Sequence, residues 1–162
     1  MQSKDKNKTA SSAQLLQLVS FHLGGEEYAL EILRVQEIIR MMDLTRVPNS
    51  PDFVEGVINL RGKVIPVIGL RKRFGLGAKE YDKQTRIVVV EVAGNVVGFV
   101  VDAVNEVLRI SSDTVEPPPR LTKLDREMIS GVGKLENRLL LLLDVEKLLS
   151  QSEQAAMSEV AA

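Results

Sequence analysis

Two stretches of this chain repeat each other, and that repeat restricts the fold more than any other feature. YALEILRVQEIIR, from Tyr28, lies over VGFVVDAVNEVLR, from Val97, without a gap at an offset of 69. SPDFVEGVINLRGKVIPVIGLRKRF, from Ser50, lies over DREMISGVGKLENRLLLLLDVEKLL, from Asp125, at an offset of 75. A loop with the triple proline Pro117-Pro118-Pro119 accounts for the difference. Each copy contains short runs rich in valine and isoleucine, bounded by turn residues, which is the pattern of strands and not of helices. Two such units predict an all-β protein of two small five-stranded barrels, of SH3 or OB type, packed on a shared core with a few short helices. The expected boundaries are a disordered tail over 1–14, a first barrel over 15–80, a second over 81–149 and a C-terminal tail over 150–162. The two barrels form a single unit over 15–149.

Local signals fill in the copies. Strands are expected at Leu15–Leu23, Tyr28–Leu33 and Val35–Arg40, with Gly24-Gly25 turning the first hairpin. Ser50 before Pro51 predicts a capped helix over Pro51–Glu55 that stops at Gly56. Then comes VINLRGKVIPVIGLRKRF, a hairpin turned at Arg61-Gly62 and followed from Gly69 by a helical turn ending at Phe74. After the polar linker Gly75–Gln84, strands are expected at Arg86–Val92, Val96–Val101 and Val104–Ile110, with Gly94-Asn95 as a hairpin turn. A helix over Asp125–Ser130, a strand over Leu139–Leu143 and a helix over Val145–Leu149 capped by Asp144 complete the second copy.

The side-chain inventory argues against catalysis. The chain has no cysteine and one histidine, His22, so thiol chemistry and a multi-histidine metal site are excluded. Gly131-Val-Gly-Lys134 is similar to the tail of a phosphate-binding loop, but lacks its first glycine and carries Leu135 where a hydroxyl should hold magnesium. A hairpin turn after a helix stop explains it better. A net charge of −1 and 4% aromatic residues without tryptophan do not provide the basic groove and stacking rings of a single-strand nucleic-acid binder. The basic run Arg71-Lys72-Arg73 is explained as a solvated helical face. The N-terminus lacks the apolar stretch of a signal peptide and no run approaches the ~20 residues of a membrane helix, which predicts a soluble, cytoplasmic protein with no direct membrane contact. No cofactor or metal is expected. What remains is a module that presents surfaces to other proteins.

GEEYALEILRVQEII, SPDFVEGVINLRGKVIPVIGLRKRFG, VVGFVVDAVNEVLRI, the proline loop and ISGVGKLENRLLLLLDVEKLL together resemble the CheW family of chemotaxis adaptors. The resemblance runs from about Leu18 to Leu149, with VQEI and NLRG its most specific parts. It implies two five-stranded barrels with some strand exchange. It also implies a non-catalytic adaptor that couples a histidine kinase of the CheA type to the cytoplasmic tip of methyl-accepting chemoreceptors. Carried over residue by residue, it implies receptor contacts at Val35, Glu37, Gly56, Arg61, Gly98, Val104 and Val107. Met41, Met42 and Leu44 are assigned to the kinase as an adaptable methionine-bearing loop. The residues themselves leave plainer alternatives open: core packing for the valines, backbone conformation for the glycines, and an ordinary surface ion pair for Glu37 and Arg61. Two other functions stay open beside the adaptor, a related scaffold in a non-chemotaxis kinase pathway and a small-barrel nucleic-acid binder. The family usually has aspartate where Gly69 stands, and Asp144 keeps it in the second copy. Finally, Glu37 aligns with Glu106 but Arg61 aligns with Glu136, so an ion pair is expected in the first barrel only.

Overall fold

The computed structural model describes residues 14–118, 128–150 and 152–155. The described residues form eleven strands: β1 (Leu15–Leu23), β2 (Glu26–Glu31), β3 (Val35–Arg40), β4 (Val54–Leu60), β5 (Lys63–Gly69), β6 (Arg86–Val92), β7 (Asn95–Val101), β8 (Ala103–Ser111), β9 (Val115–Glu116), β10 (Ile129–Lys134) and β11 (Leu139–Leu143). A single helical turn, α1 (Leu70–Arg73), follows β5, and a 3-10 turn, Val145–Lys147, stands at the matching place after β11.

The strands form a six-stranded sheet, β8-β1-β2-β11-β10-β9, and a five-stranded sheet, β3-β6-β7-β5-β4. The offsets of 69 and 75 exchange β1 with β6, β2 with β7, β3 with β8, β4 with β10 and β5 with β11. Applied to the five-stranded sheet, that exchange reproduces the first five strands of the other. The five-stranded sheet therefore takes three strands from the first copy and two from the second, and the six-stranded sheet two from the first and four from the second, β9 being the addition. In each sheet the copies meet twice, once in a parallel pairing, β5 with β7 and β11 with β2, and once in an antiparallel one, β3 with β6 and β1 with β8. Even the irregularities match. A bulge after Val35 in β3 is mirrored after Val104 in β8, and bulges at Gly56 and Gly131 correspond.

The all-β class agrees with the sequence, but the expected closed barrels are open in their hydrogen bonding, with β8 and β9, and β3 and β4, as edges. Between the sheets lies one large core, including Phe21, Leu23 and Leu30 from one side and Val88, Val90, Phe99 and Val101 from the other. Tyr28 stacks on Phe21 and Phe74 at ring distances of 6.0 and 5.3 Å. Each sheet also covers a smaller cluster of its own, Ile58, Ile65, Val67, Ile87, Val89 and Val100 in the five-stranded sheet and Leu18, Ala29, Ile110, Leu140 and Leu142 in the other. This explains strands that are apolar on both faces.

Several local expectations are corrected. Residues 51–55 form no helix: Val54 N–H donates to Pro51 O at 3.0 Å, and β4 begins at Val54. Pairing with β5 buries Val54 and Ile58, and this tertiary gain overrides the Ser50-Pro51 signal. Ile129 and Ser130 belong to β10, not to a helix, and the rest of that expected helix, 125–127, lies outside the described residues. Gly131–Lys134 is thus strand, with Lys134 paired to Glu116 at 3.1 Å, and no phosphate loop. The β6–β7 turn is Ala93-Gly94, both left-handed, which makes it one of three two-residue hairpin turns together with Gly24-Gly25 and Arg61-Gly62. The last helix is only the 3-10 turn, whose expected cap is present: Asp144 Oδ1 accepts from Glu146 N–H at 3.0 Å.

The corresponding cap is missing in the first copy, where Gly69 has no side chain to offer. Its space is occupied instead by the Glu55 carboxylate, which an added Cβ at Gly69 would strike. Glu55 reaches Lys72 Nζ at 3.4 Å and accepts from the Tyr81 hydroxyl at 3.4 Å. Burial, with the Glu55 charge beside it, pushes the Tyr81 phenol up to about 12. Gly69→Asp, which copies the second repeat, should therefore lower stability by roughly 1–3 kcal/mol, since two carboxylates would compete for one space. Denaturant unfolding checks this, and Gly69→Asp with Glu55→Gln should recover part of the loss.

Asp102, at the turn from β7 to β8, ties three elements together. Its carboxylate takes a two-pronged contact from Arg71 of α1, at 3.0 and 2.9 Å, and accepts from Gly24 N–H at 3.0 Å. Burial would raise its pKa, but the Arg71 and Gly24 hydrogen bonds outweigh that and hold it below the ordinary value of 3.8. A depressed folded-state pKa means its contribution is present at neutral pH and fades as pH falls below that value. Asp102→Asn should cost roughly 1–2 kcal/mol at pH 7. The gap from the native chain should narrow as pH is lowered below about 4, as read by unfolding at a series of pH values.

Candidate functional site

VQEI lies on β3, an edge strand hydrogen-bonded only to β6, and NLRG forms the end of β4 and its turn. Asn59 accepts from Gly62 N–H at 2.8 Å and so fastens the turn. Arg61, at φ 53°, takes the left-handed conformation there and projects its side chain outward, 70% exposed. Its guanidinium meets the Glu37 carboxylate. The two sequence motifs thus converge in one ion pair at the mouth of the five-stranded sheet.

Glu37 also heads a row across that sheet. Glu37, Val89, Gly98, Val67 and Gly56 stand opposite one another on β3, β6, β7, β5 and β4. The two glycines have packing reasons. A Cβ at Gly98 would lie 2.5 Å from Ile87 Cγ2. At Gly56, φ is +157° and a Cβ would lie 2.8 Å from Thr45 O, because Thr45 crosses β4 there and exchanges hydrogen bonds of 2.9 and 2.8 Å with Val57. That crossing holds the loop of Met41, Met42 and Leu44. Met41 and Leu44 pack on the small cluster beneath, and only Met42 of the three is well exposed, at 38%.

The remaining residues lie at equivalent places on the two edge strands. Val35 of β3 and Val104 of β8 pack on the shared core from its rim. Val107 stands further along β8 on the same face and is 60% exposed. The structure therefore joins Glu37 to Arg61 directly and sets Gly98 and Gly56 in their row. Val35 belongs to the five-stranded sheet, Val104 and Val107 to the other.

The expected asymmetry is corrected. Glu106 does find an arginine, Arg138, which stands where the first copy has Lys63. The arginine has moved by two residues, across the turn, and its reach makes up the difference. The two pairs are nevertheless unlike. Arg138, half as exposed as Arg61 at 35%, lies between two acids, with Glu106 on one side and Glu27 Oε1 3.1 Å from its buried Nε, in ion-pair range but without hydrogen-bond geometry. Burial works against ionised Glu27, but hydrogen bonds from Asn105 and Ser20 and the Arg138 charge keep its pKa lowered. Arg138 in turn is raised, first by its hydrogen bond to Glu106. Arg61 has one acid and open solvent.

The fold is that of an all-β scaffold of two interleaved sheets, with VQEI and NLRG joined on the five-stranded one. Residues 17–153 match the family model for the CheW-like domain. The chain is 41% identical to the chemotaxis protein CheW of Klebsiella aerogenes, over 96% of this chain and 94% of that one. It is 39% identical to the chemotaxis protein CheW of Helicobacter pylori, over 90% and 88%. The scaffolding protein TtCheW of Thermoanaerobacter tengcongensis superposes with a TM-score of 0.79 at 39% identity, over 85% of this chain and 94% of that one. The chain belongs to the CheW-like family, a family of chemotaxis scaffolds and not of enzymes.

Because Arg138 neutralises two acids and Arg61 only one, their removal should differ. Arg138→Ala should lower Tm by about 2–4 °C, and Arg61→Ala by less than about 1 °C. Thermal unfolding of the two variants in parallel decides it, and equal losses would count against the distinction.

Proposed function

We propose that this protein is a cytoplasmic adaptor that couples a histidine kinase of the CheA type to the cytoplasmic tip of methyl-accepting chemoreceptors. On this reading the receptor side comprises Val35, Glu37, Gly56, Arg61, Gly98, Val104 and Val107, and the kinase side Met41, Met42 and Leu44. It acts on protein surfaces alone, with neither nucleic acid nor a membrane as direct partner. Among the described residues no helix is long and apolar enough to cross a membrane.

The observation that carries the reading is the contrast between the two ion pairs. Arg61 is presented on a fastened turn with most of its surface open and one acid beside it, while its counterpart is half as exposed and lies between two acids. An exposed pair contributes little to folding, so stability does not explain such a turn. A partner that covers it removes water from both charges and makes each matter, with truncation costing roughly 2–5 kcal/mol of binding. Gly56 and Gly98 enter the site by shape: larger residues there would displace the Thr45 crossing or Ile87 beneath the row.

A charge swap provides the test. Arg61→Glu and Glu37→Arg should each weaken capture of a receptor-tip fragment by more than tenfold, with little change in Tm. The double swap should not restore capture, since each residue then faces a like charge on the receptor. Full rescue of affinity by the swap, with equal coupling in the free protein's stability, would show the pair to be structural only.

A further inference from the structure

One pair of residues is complete in the second repeat and incomplete in the first. Gln17 of β1 stands directly opposite Arg109 of β8, and with its amide turned so that oxygen rather than nitrogen faces the guanidinium, the Gln17 oxygen accepts from Arg109 Nε and Nη2, both at 3.0 Å. The repeat carries these positions onto Arg86 of β6 and Arg40 of β3, which are likewise directly opposite. Here two cations face each other where the other sheet has an amide and a cation. Like charges directly opposite on neighbouring strands destabilise a sheet.

Among the described residues no acid answers this repulsion. Arg86 Nη1 donates to Lys83 O at 2.7 Å and to Thr85 O at 2.9 Å, leaving Nε and Nη2 without a bond among the described residues. Arg40 is exposed and makes no hydrogen bond or ion pair among them. Asp82, the nearest acid in sequence to Arg86, is committed to Lys79, Gln84 and Thr85. The exposed Lys83 adds a third cation nearby.

The surroundings indicate what fits. Arg40 lies on the same face of β3 as Ile38, which is 37% exposed, and beyond the β3 bulge that face continues to Val35 on the core rim. An apolar strip on an unpaired edge thus ends in two uncompensated guanidiniums. That combination suits an amphipathic protein segment with apolar side chains along the strip and an acid at its end. A net charge of −1 and only three clustered cations do not give the broad field that an anionic membrane would need.

We propose that Arg40 and Arg86 form an anion site completed by a carboxylate of the receptor segment that docks along β3, an inference that rests on the receptor assignment made above. The segment's acid supplies in trans what Gln17 supplies to Arg109 in cis. Arg40 is then a specificity residue: receptors with an acid at that place bind, and those with a basic residue there are rejected.

The test uses the full chain with Arg40→Gln and Arg40→Glu. Neither removes a side-chain bond among the described residues. The first copies the Gln17–Arg109 arrangement with the strands exchanged, and the second supplies the missing carboxylate internally. One readout is thermal unfolding in sodium sulfate against sodium chloride at matched ionic strength, with sulfate as the anion probe. The native chain should gain more from sulfate than either variant, and both variants should equal or exceed its Tm in chloride. An identical sulfate response in all three proteins would overturn the anion site, whichever partner binds. The second readout is affinity for a receptor-tip fragment, with Arg61→Glu measured alongside. Arg40→Glu should weaken binding about tenfold or more, and replacing the fragment's acids one at a time by lysine should find one position where Arg40→Glu restores it. If Arg61→Glu weakens capture and Arg40→Glu does not, the proposal fails while the receptor assignment stands. If the native chain does not bind the fragment, the receptor assignment fails and the occupant named here fails with it, and the sulfate response alone then decides whether an anion site exists.

Discussion

The parallel pairings of β5 with β7, through Val67 and Gly98, and of β11 with β2, through Leu142 and Ala29, join strands that come from different repeats. Without them the five-stranded sheet would divide into fragments of three and two strands, and the six-stranded sheet into two fragments of three, one of which keeps only the two-residue β9 at its edge. Two-stranded fragments are marginal in water, and no fragment could cover its apolar faces. The pairings also explain why small residues sit at the joins. Gly98 leaves room for Ile87, and Ala29 holds the same place in the other sheet. The shared core, the two small clusters and the row from Glu37 to Gly56 all follow from this exchange.

Near-symmetry then serves as an internal comparison. Where the two copies agree, in bulges, turn positions and edge valines, the common requirement is the fold. Where they differ, something local has changed. Asp144 caps its turn and Gly69 does not, with Glu55 in the vacant space. Arg138 meets two acids and Arg61 one. Gln17 completes Arg109, while Arg86 opposes Arg40. All three differences leave charge or polarity less satisfied in the five-stranded sheet, the one that carries VQEI and NLRG.

The repeat made the architecture legible, because a sequence period needs no knowledge of contacts. Strand exchange, by contrast, was implied only by the family resemblance, since pairing between distant strands leaves no local pattern. The errors were also local. The Ser50-Pro51 signal is a helix start in isolation, yet β5 offers Val54 and Ile58 a burial that a short helix could not. Shifting the β6–β7 turn by one residue follows from Ala93 accepting φ 52°, a position where glycine or asparagine is the usual clue. The C-terminal tail carries a further legible signal, the capping-box spacing of Ser150 and Glu153: they form a reciprocal cap on the helical turn 152–155, at 2.7 and 3.2 Å, and Arg73 pins it by an ion pair of 3.1 Å to Glu153. The Glu37–Arg61 contact was accessible through the motifs. Arg138 was not, because strict alignment puts Glu136 in the place of Arg61 and hides an arginine two residues on.

The interleaving of the repeats also sets an order in which a growing chain can become structured. The five-stranded sheet needs only β3 to β7 and has all its strands once Val101 has been made. The β1–β2 hairpin, made first, must wait, because its neighbours β8 and β11 end only at Ser111 and Leu143. During synthesis the earliest strands thus stay without their sheet for most of the chain's length, with Phe21, Leu23 and Leu30 uncovered. Closing such distant pairings is slow compared with local hairpins, and unpaired apolar strands are open to association in the meantime. The exchange that binds the finished molecule into one body makes its first-made part the last to be sheltered.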